Sequence, residues 1–467
     1  MGEGRERLAS EGSLLERLRR SRAGSGERYD LTQGSLAHNV WYLARPILIS
    51  QLLFTIPDVY DGMWLGRLGS GAQAAAGLAT STRFTMISVL MALSGGSGAV
   101  VARYVGARDQ ENANLAVLQA VVMMALAAGA LGAIGVLFAE PLMRLAGADA
   151  EVLPLAVRYA RILFAGLIAM EMVPSVSGML NAAGAPGIGL TMRLWGTVTM
   201  IVAEPLLIHW LGLEGAVLAL VGSNTVGMLW GLGVLLSGRA PVRIDVRHLR
   251  LDLPMMWRIA RIAGPAVVQR GTPNLSQSLL TRLISSYGAT TLAAWAVVQR
   301  VARFVQIPSM GLASTTPAMV GQNLGAGRPQ RAERAVGLIV RAVSGTMAAM
   351  LVGVALFAPQ VMALFSNDAA TVYAGARIIR ILSLGYLLLA VNGVYDAAQA
   401  GAGDTASPMA INLAALWLIQ VPLAYLLSRA LGLGADGIWA ALVIGWLAQA
   451  GLMIWRYRQG RWKLTRI

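Results

Sequence analysis

The chain has 467 residues, 56% of them apolar and only 13% charged, against roughly 45–50% and about 25% in soluble domains. That balance excludes a disordered chain and argues against a water-soluble enzyme, and the absence of cysteine excludes disulfides, thiol nucleophiles and cysteine-ligated zinc. The net charge of +15 invites a nucleic-acid reading, but the arginines gather in the first 28 residues, in 239–250 and in 456–466, where loop charge sets membrane topology, so no nucleic-acid partner is expected.

In chain order, residues 1–35 read as a disordered cytoplasmic tail rich in Gly, Ser, Arg and Glu, without the apolar core of a signal peptide. Apolar stretches long enough to cross a hydrocarbon layer of roughly 30 Å then predict spans at 41–65, 74–101, 115–138, 154–180, 187–211 and 215–236. A polar cytoplasmic linker occupies 237–254, and six further spans follow at 255–284, 292–319, 334–357, 373–400, 406–428 and 435–456. Residues 457–467 form a basic cytoplasmic C-terminus. An even number of spans puts both termini on one side. The loops holding Arg103, Arg108, Arg328, Arg331 and Arg334 fall with them, and this arginine excess predicts that side to be cytoplasmic, in a multi-pass protein of the cell membrane.

Shifting the sequence by 219 residues pairs Pro46 with Pro265, Gly69 with Gly288, Gly106-Ala107 with Gly325-Ala326, Asp149-Ala150 with Asp368-Ala369, Arg161-Ile162-Leu163 with Arg380-Ile381-Leu382 and Gly184 with Gly403. Six spans per repeat make the halves parallel. The expected fold is therefore an all-α membrane protein of twelve transmembrane helices in two parallel six-helix pseudo-repeats, an N-lobe at 36–236 and a C-lobe at 255–456. Such paired bundles suit a transporter whose substrate binds between the halves.

An ionised carboxylate costs roughly 2.5–3.5 kcal/mol at a bilayer centre, so each intramembrane acid needs a cavity, a partner or a proton. The candidates are Asp58, Asp61, Glu171, Glu204 and Asp396. Asp58 and Asp61 share a helix face just after Pro57, and Glu204 precedes Pro205. Spans 1 and 5 both run outward, which places Asp61 and Glu204 at similar depth in the outer half, able to line one pocket. Carboxyls sharing a dry cavity cannot all ionise, and a proton, a sodium ion or an organic cation then compete to neutralise them. The plainer readings are an interfacial ion pair of Asp61 with Arg67, structural hydrogen bonding for Glu204, helix anchoring for Glu171 and snorkelling for Asp396. Asn274 and Gln277 lie one turn apart after Pro273, positioned to face a cleft or to tie helices together. His38, His209 and His248 are too dispersed for a metal site.

The stretches Asp61-Gly-Met-Trp-Leu-Gly-Arg-Leu-Gly69, Val105-Gly-Ala-Arg108, Gly321-Gln-Asn-Leu-Gly-Ala-Gly327, Gly401-Ala-Gly-Asp-Thr405 and Pro422-Leu-Ala-Tyr425 resemble the multidrug and toxic compound extrusion (MATE) family over about residues 36–456. The resemblance implies a V-shaped pair of six-helix lobes exporting organic, often cationic compounds against protons or sodium ions. It places the family's first-span acid on Asp61, and its fifth-span Asn-x-x-x-Asp-Pro on Met200 and Glu204-Pro205, so the acid is present as Glu and the amide is absent. The seventh-span acid of some branches has no counterpart.

Together these readings predict an ion-coupled exporter, monomeric and needing no cofactor beyond its coupling ion. Asp61, Glu204 and Asp58 are expected to couple the cation, with any sodium site at Asp61 and Glu204. Asp61, Glu204, Glu171, Asn274, Gln277 and Asp396 are expected to face substrate. The alternative is a lipid or lipid-linked oligosaccharide flippase, for which Arg45, Arg83, Arg193, Arg270, Arg300 and Arg303 supply cations in or near spans. An intramembrane enzyme would need clustered catalytic groups, and only Asp58 with Asp61 approaches that.

Overall fold

The computed structural model describes residues 29–245 and 250–465, with the side chains of Phe54 and Asn274 excepted. The expected disordered tail thus falls, over residues 1–28, outside the described residues. Each expected span coincides with a helix or a broken helix. Spans 1 to 6 are Leu36–Arg67, the pair Ser70–Met86 and Ser88–Gly106, Gln110–Leu137, the pair Leu153–Ala165 and Leu167–Ala182, Pro186–Leu211, and Leu213–Leu236. Spans 7 to 12 are Leu253–Ser285, the pair Ala289–Ala313 and Thr316–Gly325, Pro329–Leu356, Ala369–Gly401, Ala406–Ala430, and Gly434–Arg458.

Among the described residues nine helices are long and apolar enough to cross a membrane unaided, or ten when the two halves of span 4, bent by 46°, count as one. Spans 7 and 8 fall short because they carry Gln269, Arg270, Gln277, Gln299, Arg300, Arg303 and Gln306. Several of those side chains line an internal cavity, which removes the cost of facing lipid. Elsewhere large apolar side chains point outward, as with Leu126, Leu206, Trp210 and Leu447, as expected when the solvent is hydrocarbon. In span 11 the helix widens into π turns on both sides of Val421–Tyr425; Pro422 supplies no N–H to the preceding turn.

The duplication is visible in the backbone. Gly69 and Gly288, one repeat apart, both have φ near +105°, and Gly184 and Gly403 have φ of +84° and +88°. Asp149 and Asp368 make the same turn, accepting hydrogen bonds from the N–H of Val152 and of Thr371. Arg108 (φ +59°) stands where the second repeat has Gly327 (φ +69°), so an L-residue is held in a left-handed conformation that its symmetry mate adopts without strain.

The halves join at the end that carries both termini. A Cβ on Gly106 would lie 2.0 Å from the Gln322 carbonyl oxygen, and one on Gly325 would lie 2.1 Å from that of Arg103. These four residues are two pairs related by the 219-residue repeat, so the contact is reciprocal: each glycine admits the backbone of the opposite lobe. The first turns of spans 1 and 7 are also exchanged. Val40, Leu43 and Ala44 pack in a buried cluster with Met319, Val336 and Val394 of the second half, while Met255, Ile259 and Ile262 pack with Val100, Val117 and Met179 of the first. Polar bonds finish the seam. Gln322 donates to the Ala182 carbonyl, Arg328 to that of Thr32, Arg331 to those of Gln33 and Gly34, and Arg103 to that of Thr465. The linker lies at this end too, since Gln110 donates to the Pro241 carbonyl and Gln119 to that of Arg250.

Candidate functional site

Two cavities lie among the helices, one in each half. The first, of about 510 Å³, is walled by spans 1, 2, 4, 5 and 6 and lined by Asp58, Asp61, Arg83, Glu171 and Arg193 among others. Span 1 brings Asp58 and Asp61 to one face, span 2 brings Thr80 and Arg83, span 4 brings Tyr159 and Glu171, and span 5 brings Arg193 and Glu204.

Asp61 and Glu204, 143 positions apart in sequence, stand side by side. Glu204 is fully buried. Asp61 Oδ1 and both carboxylate oxygens of Glu204 are shielded from solvent and find no hydrogen-bond partner among the described residues. Tyr159, also fully buried, is within electrostatic reach of the two carboxyls, and its hydroxyl finds no hydrogen-bond partner among the described residues. Asp61 makes no ion pair with Arg67 among the described residues; Arg67 instead lies 4.8 Å over the Trp64 ring.

Proline chemistry builds the contact between spans 1 and 5. Pro205 has no N–H to offer the Ile201 carbonyl one turn back. Tyr60, between the two aspartates, donates its hydroxyl to that oxygen at 3.1 Å. Residue spacing alone had not singled out Tyr60 or Tyr159; for Tyr60 the available signal was Pro205, whose freed carbonyl requires a donor from a neighbour.

Glu171 is buried, and its Oε1 accepts a 2.8 Å hydrogen bond from Arg83 in an ion pair between spans 2 and 4. That pair satisfies the helix-anchoring reading. Asp58 is exposed to the cavity and faces Arg193 and Arg83. Four carboxyls therefore meet two guanidinium groups in this region, and the two carboxyls without a cation are Asp61 and Glu204.

The second cavity, of about 560 Å³, is walled by spans 7, 8, 10, 11 and 12, with Gly95 and Gly96 of span 2 at its edge. Gln277 and Asp396 line it with Arg270 and with the amides of Gln269, Gln299 and Gln420. Gln269 donates to Asp396 at 2.9 Å. The structure thus distributes the six residues expected to face substrate: Asp61, Glu171 and Glu204 lie in or behind the first cavity, Gln277 and Asp396 in the second. Asn274 is on span 7, its side chain outside the described residues. Of the arginines that a flippase would use, Arg83 and Arg193 line the first cavity and Arg270 the second, whereas Arg45, Arg300 and Arg303 line neither.

The sequence model of the MatE family matches residues 46–206 and 265–426, two segments that start one 219-residue repeat apart. The chain belongs to the MatE family. This MatE protein is 27% identical over 434 residues to the probable multidrug resistance protein YoeA of Bacillus subtilis (strain 168), covering 90% of this chain and 93% of that one. It is 29% identical to the probable multidrug resistance protein NorM of Deinococcus radiodurans, covering 90% and 95%. A solved structure described as MATE in the bent conformation superposes with a TM-score of 0.86 at 24% identity, over 93% of this chain and 97% of that one. The fold is thus that of a multi-pass MATE transporter, with a cavity in each half.

Proposed function

We propose that this MatE transporter is a secondary active exporter of organic, often cationic compounds, driven by protons or sodium ions entering through the Asp61–Glu204 site. One observation carries the reading. Three carboxylate oxygens at this site are buried without hydrogen-bond partners, and an uncompensated buried carboxylate costs several kcal/mol. A shared proton removes that cost by making one carboxyl a donor to the other. A sodium ion removes it by binding both carboxylates. A cationic cargo entering the cavity competes for the same negative charge, and that competition couples ion entry to cargo exit.

The seam at the terminal end supports a state closed on that side, and alternating access follows when the reciprocal glycine contacts part. The terminal side is cytoplasmic on the arginine distribution, in a monomer of the cell membrane. A proton falling through about 100 mV releases roughly 2.3 kcal/mol, which sustains about fiftyfold accumulation. The relatives' names, multidrug resistance proteins, support a drug-like cargo. The excess of carboxyl over guanidinium groups in the first cavity disfavours a flippase for an anionic headgroup.

Efflux from proteoliposomes, with the sodium and proton gradients varied independently, tests the proposal. Asp61→Asn and Glu204→Gln are each expected to abolish gradient-driven efflux while the protein remains folded. Retention of coupled transport by both variants refutes the site, and the gradient that drives the unmodified protein identifies the ion.

A further inference from the structure

A third cavity, of about 640 Å³, lies at the terminal end and meets the second cavity at Thr405. That volume is within the roughly 300–1,000 Å³ of small-ligand sites. Arg258 and Arg261 reach it from the first turns of span 7, one turn apart on a common face. Arg456, Arg461 and Thr465 reach it from the end of the chain, and the turn Gly403–Ala406 closes it.

Four guanidinium groups meet one carboxyl group there, that of Asp404. Asp404 is largely committed already: it accepts the Ser407 N–H at 3.1 Å and the Ser407 hydroxyl at 2.8 Å, and lies 3.5 Å from Arg456. Arg258 donates to the Tyr104 hydroxyl at 2.6 Å, and Arg456 donates to Ser407 Oγ and Gln459. Arg261 and Arg461 are exposed and carry no hydrogen bond or ion pair among the described residues. Two partly used guanidinium groups and two unused ones therefore share one cavity, a concentration of positive charge that a bound anion would relieve. The planar fork of arginine suits tetrahedral phosphate oxygens, which it binds through two parallel N–H bonds.

Position indicates where the phosphate comes from. Trp257 and Trp455, next in sequence to Arg258 and Arg456, are 69% and 62% exposed. Tryptophans so placed at helix ends mark the headgroup layer of a membrane, and basic pockets between helices at that level bind phospholipid headgroups.

We propose that this cavity binds a phosphate ester, held chiefly by Arg261 and Arg461, and that its occupant is the headgroup of an anionic phospholipid. The bonds Arg258 to Tyr104 and Arg103 to Thr465 cross between the lobes beside this cavity. A headgroup bridging Arg261 and Arg461 therefore tethers the C-terminal segment to span 7 and favours the arrangement joined at this end. The inference is independent of the ion-coupling reading, since neither Arg261 nor Arg461 lines either of the first two cavities.

The test measures thermal unfolding of the full-length protein in detergent during titration with short-chain phosphatidylglycerol, short-chain phosphatidylcholine or inorganic phosphate. Arg261→Gln/Arg461→Gln is compared with the unmodified protein and with Arg282→Gln/Arg429→Gln, which removes equal charge from the last turns of spans 7 and 11 at the other end. Phosphatidylglycerol is expected to raise the unfolding temperature of the unmodified protein and of the control, phosphatidylcholine to leave it unchanged, and Arg261→Gln/Arg461→Gln to need at least tenfold more phosphatidylglycerol for the same rise. If inorganic phosphate acts equally well, the site is supported with a free phosphate as its ligand; if only the lipid acts, the headgroup is its ligand. Should the double variant fail to fold, native mass spectrometry of Arg461→Gln against the unmodified protein reads the same loss as fewer retained phosphatidylglycerol molecules. The proposal is overturned if no phosphate compound stabilises the unmodified protein, or if removing these arginines leaves binding unchanged.

Discussion

Placing a methyl group on Gly106 should drive the two lobes apart. The added Cβ would sit 2.0 Å from the Gln322 carbonyl oxygen and 2.5 Å from its Cα, and the obstructing atoms are backbone, so no side-chain rotation can accommodate it. Reaching a separation of 3.0 Å, below which real Cβ contacts are essentially absent, requires the helices to retreat by about 1 Å. Overpacking of this kind costs about 1–3 kcal/mol. The cost falls on the joined state alone, so the equilibrium should move toward the opened state by roughly 5- to 150-fold. Because the chain has no cysteine, Glu111→Cys with Gln330→Cys can carry two spin labels, one on each lobe at exposed positions, without background labelling. Pulsed electron resonance should show a second, longer distance in Gly106→Ala. Gly325→Ala should give a similar change, since its Cβ meets the Arg103 carbonyl in the reciprocal contact. Distance distributions unchanged by both substitutions would show that the seam does not govern opening.

Two further outcomes follow from the geometry. Arg83→Gln should destabilise the protein by about 3–5 kcal/mol, because it strands the buried Glu171 carboxylate, and Glu171→Gln by less, because Arg83 lines the cavity and still faces Asp58, whereas Arg83→Met combined with Glu171→Leu should recover most of the first loss; thermal unfolding in detergent reads the difference. Asp30 lies in the segment before span 1, and burial pushes its carboxyl up, but hydrogen bonds from the Thr32 hydroxyl and N–H and from Arg108 outweigh this and hold it below the usual carboxylate range. A carboxyl depressed on folding contributes stability in full above its unfolded value of about 3.9 and loses it as pH falls through the lower folded value. A spin label on Ser35→Cys should therefore stay immobile at pH 5 and loosen only in that more acidic window, and in Asp30→Asn it should already be loose at pH 5.

Hydropathy and periodicity act within a helix, so the twelve spans, their duplication and the acids worth attention were legible in the sequence. Pro46 and Pro265, or Gly106 and Gly325, announce a repeat because equal backbone demands recur at equal positions. Even the less apolar spans 7 and 8 were within reach. What their polarity meant, a cavity rather than a weak span, was not, because lining a cavity depends on which face the neighbouring helices leave uncovered.

Depth along the helices already paired Asp61 with Glu204, but only the tertiary structure assigned the remaining partners. Glu171 looks like another intramembrane acid of the same kind, yet it meets Arg83 across 88 positions. Tyr159 joins Asp61 and Glu204, and Tyr60 supplies the hydrogen bond that Pro205 withholds. Nor does residue order reveal that Arg261 and Arg461, 200 positions apart, face one cavity. The pattern of one helix reports which of its faces is apolar, whereas charge compensation depends on how helices cross, and that is decided by packing among all of them at once.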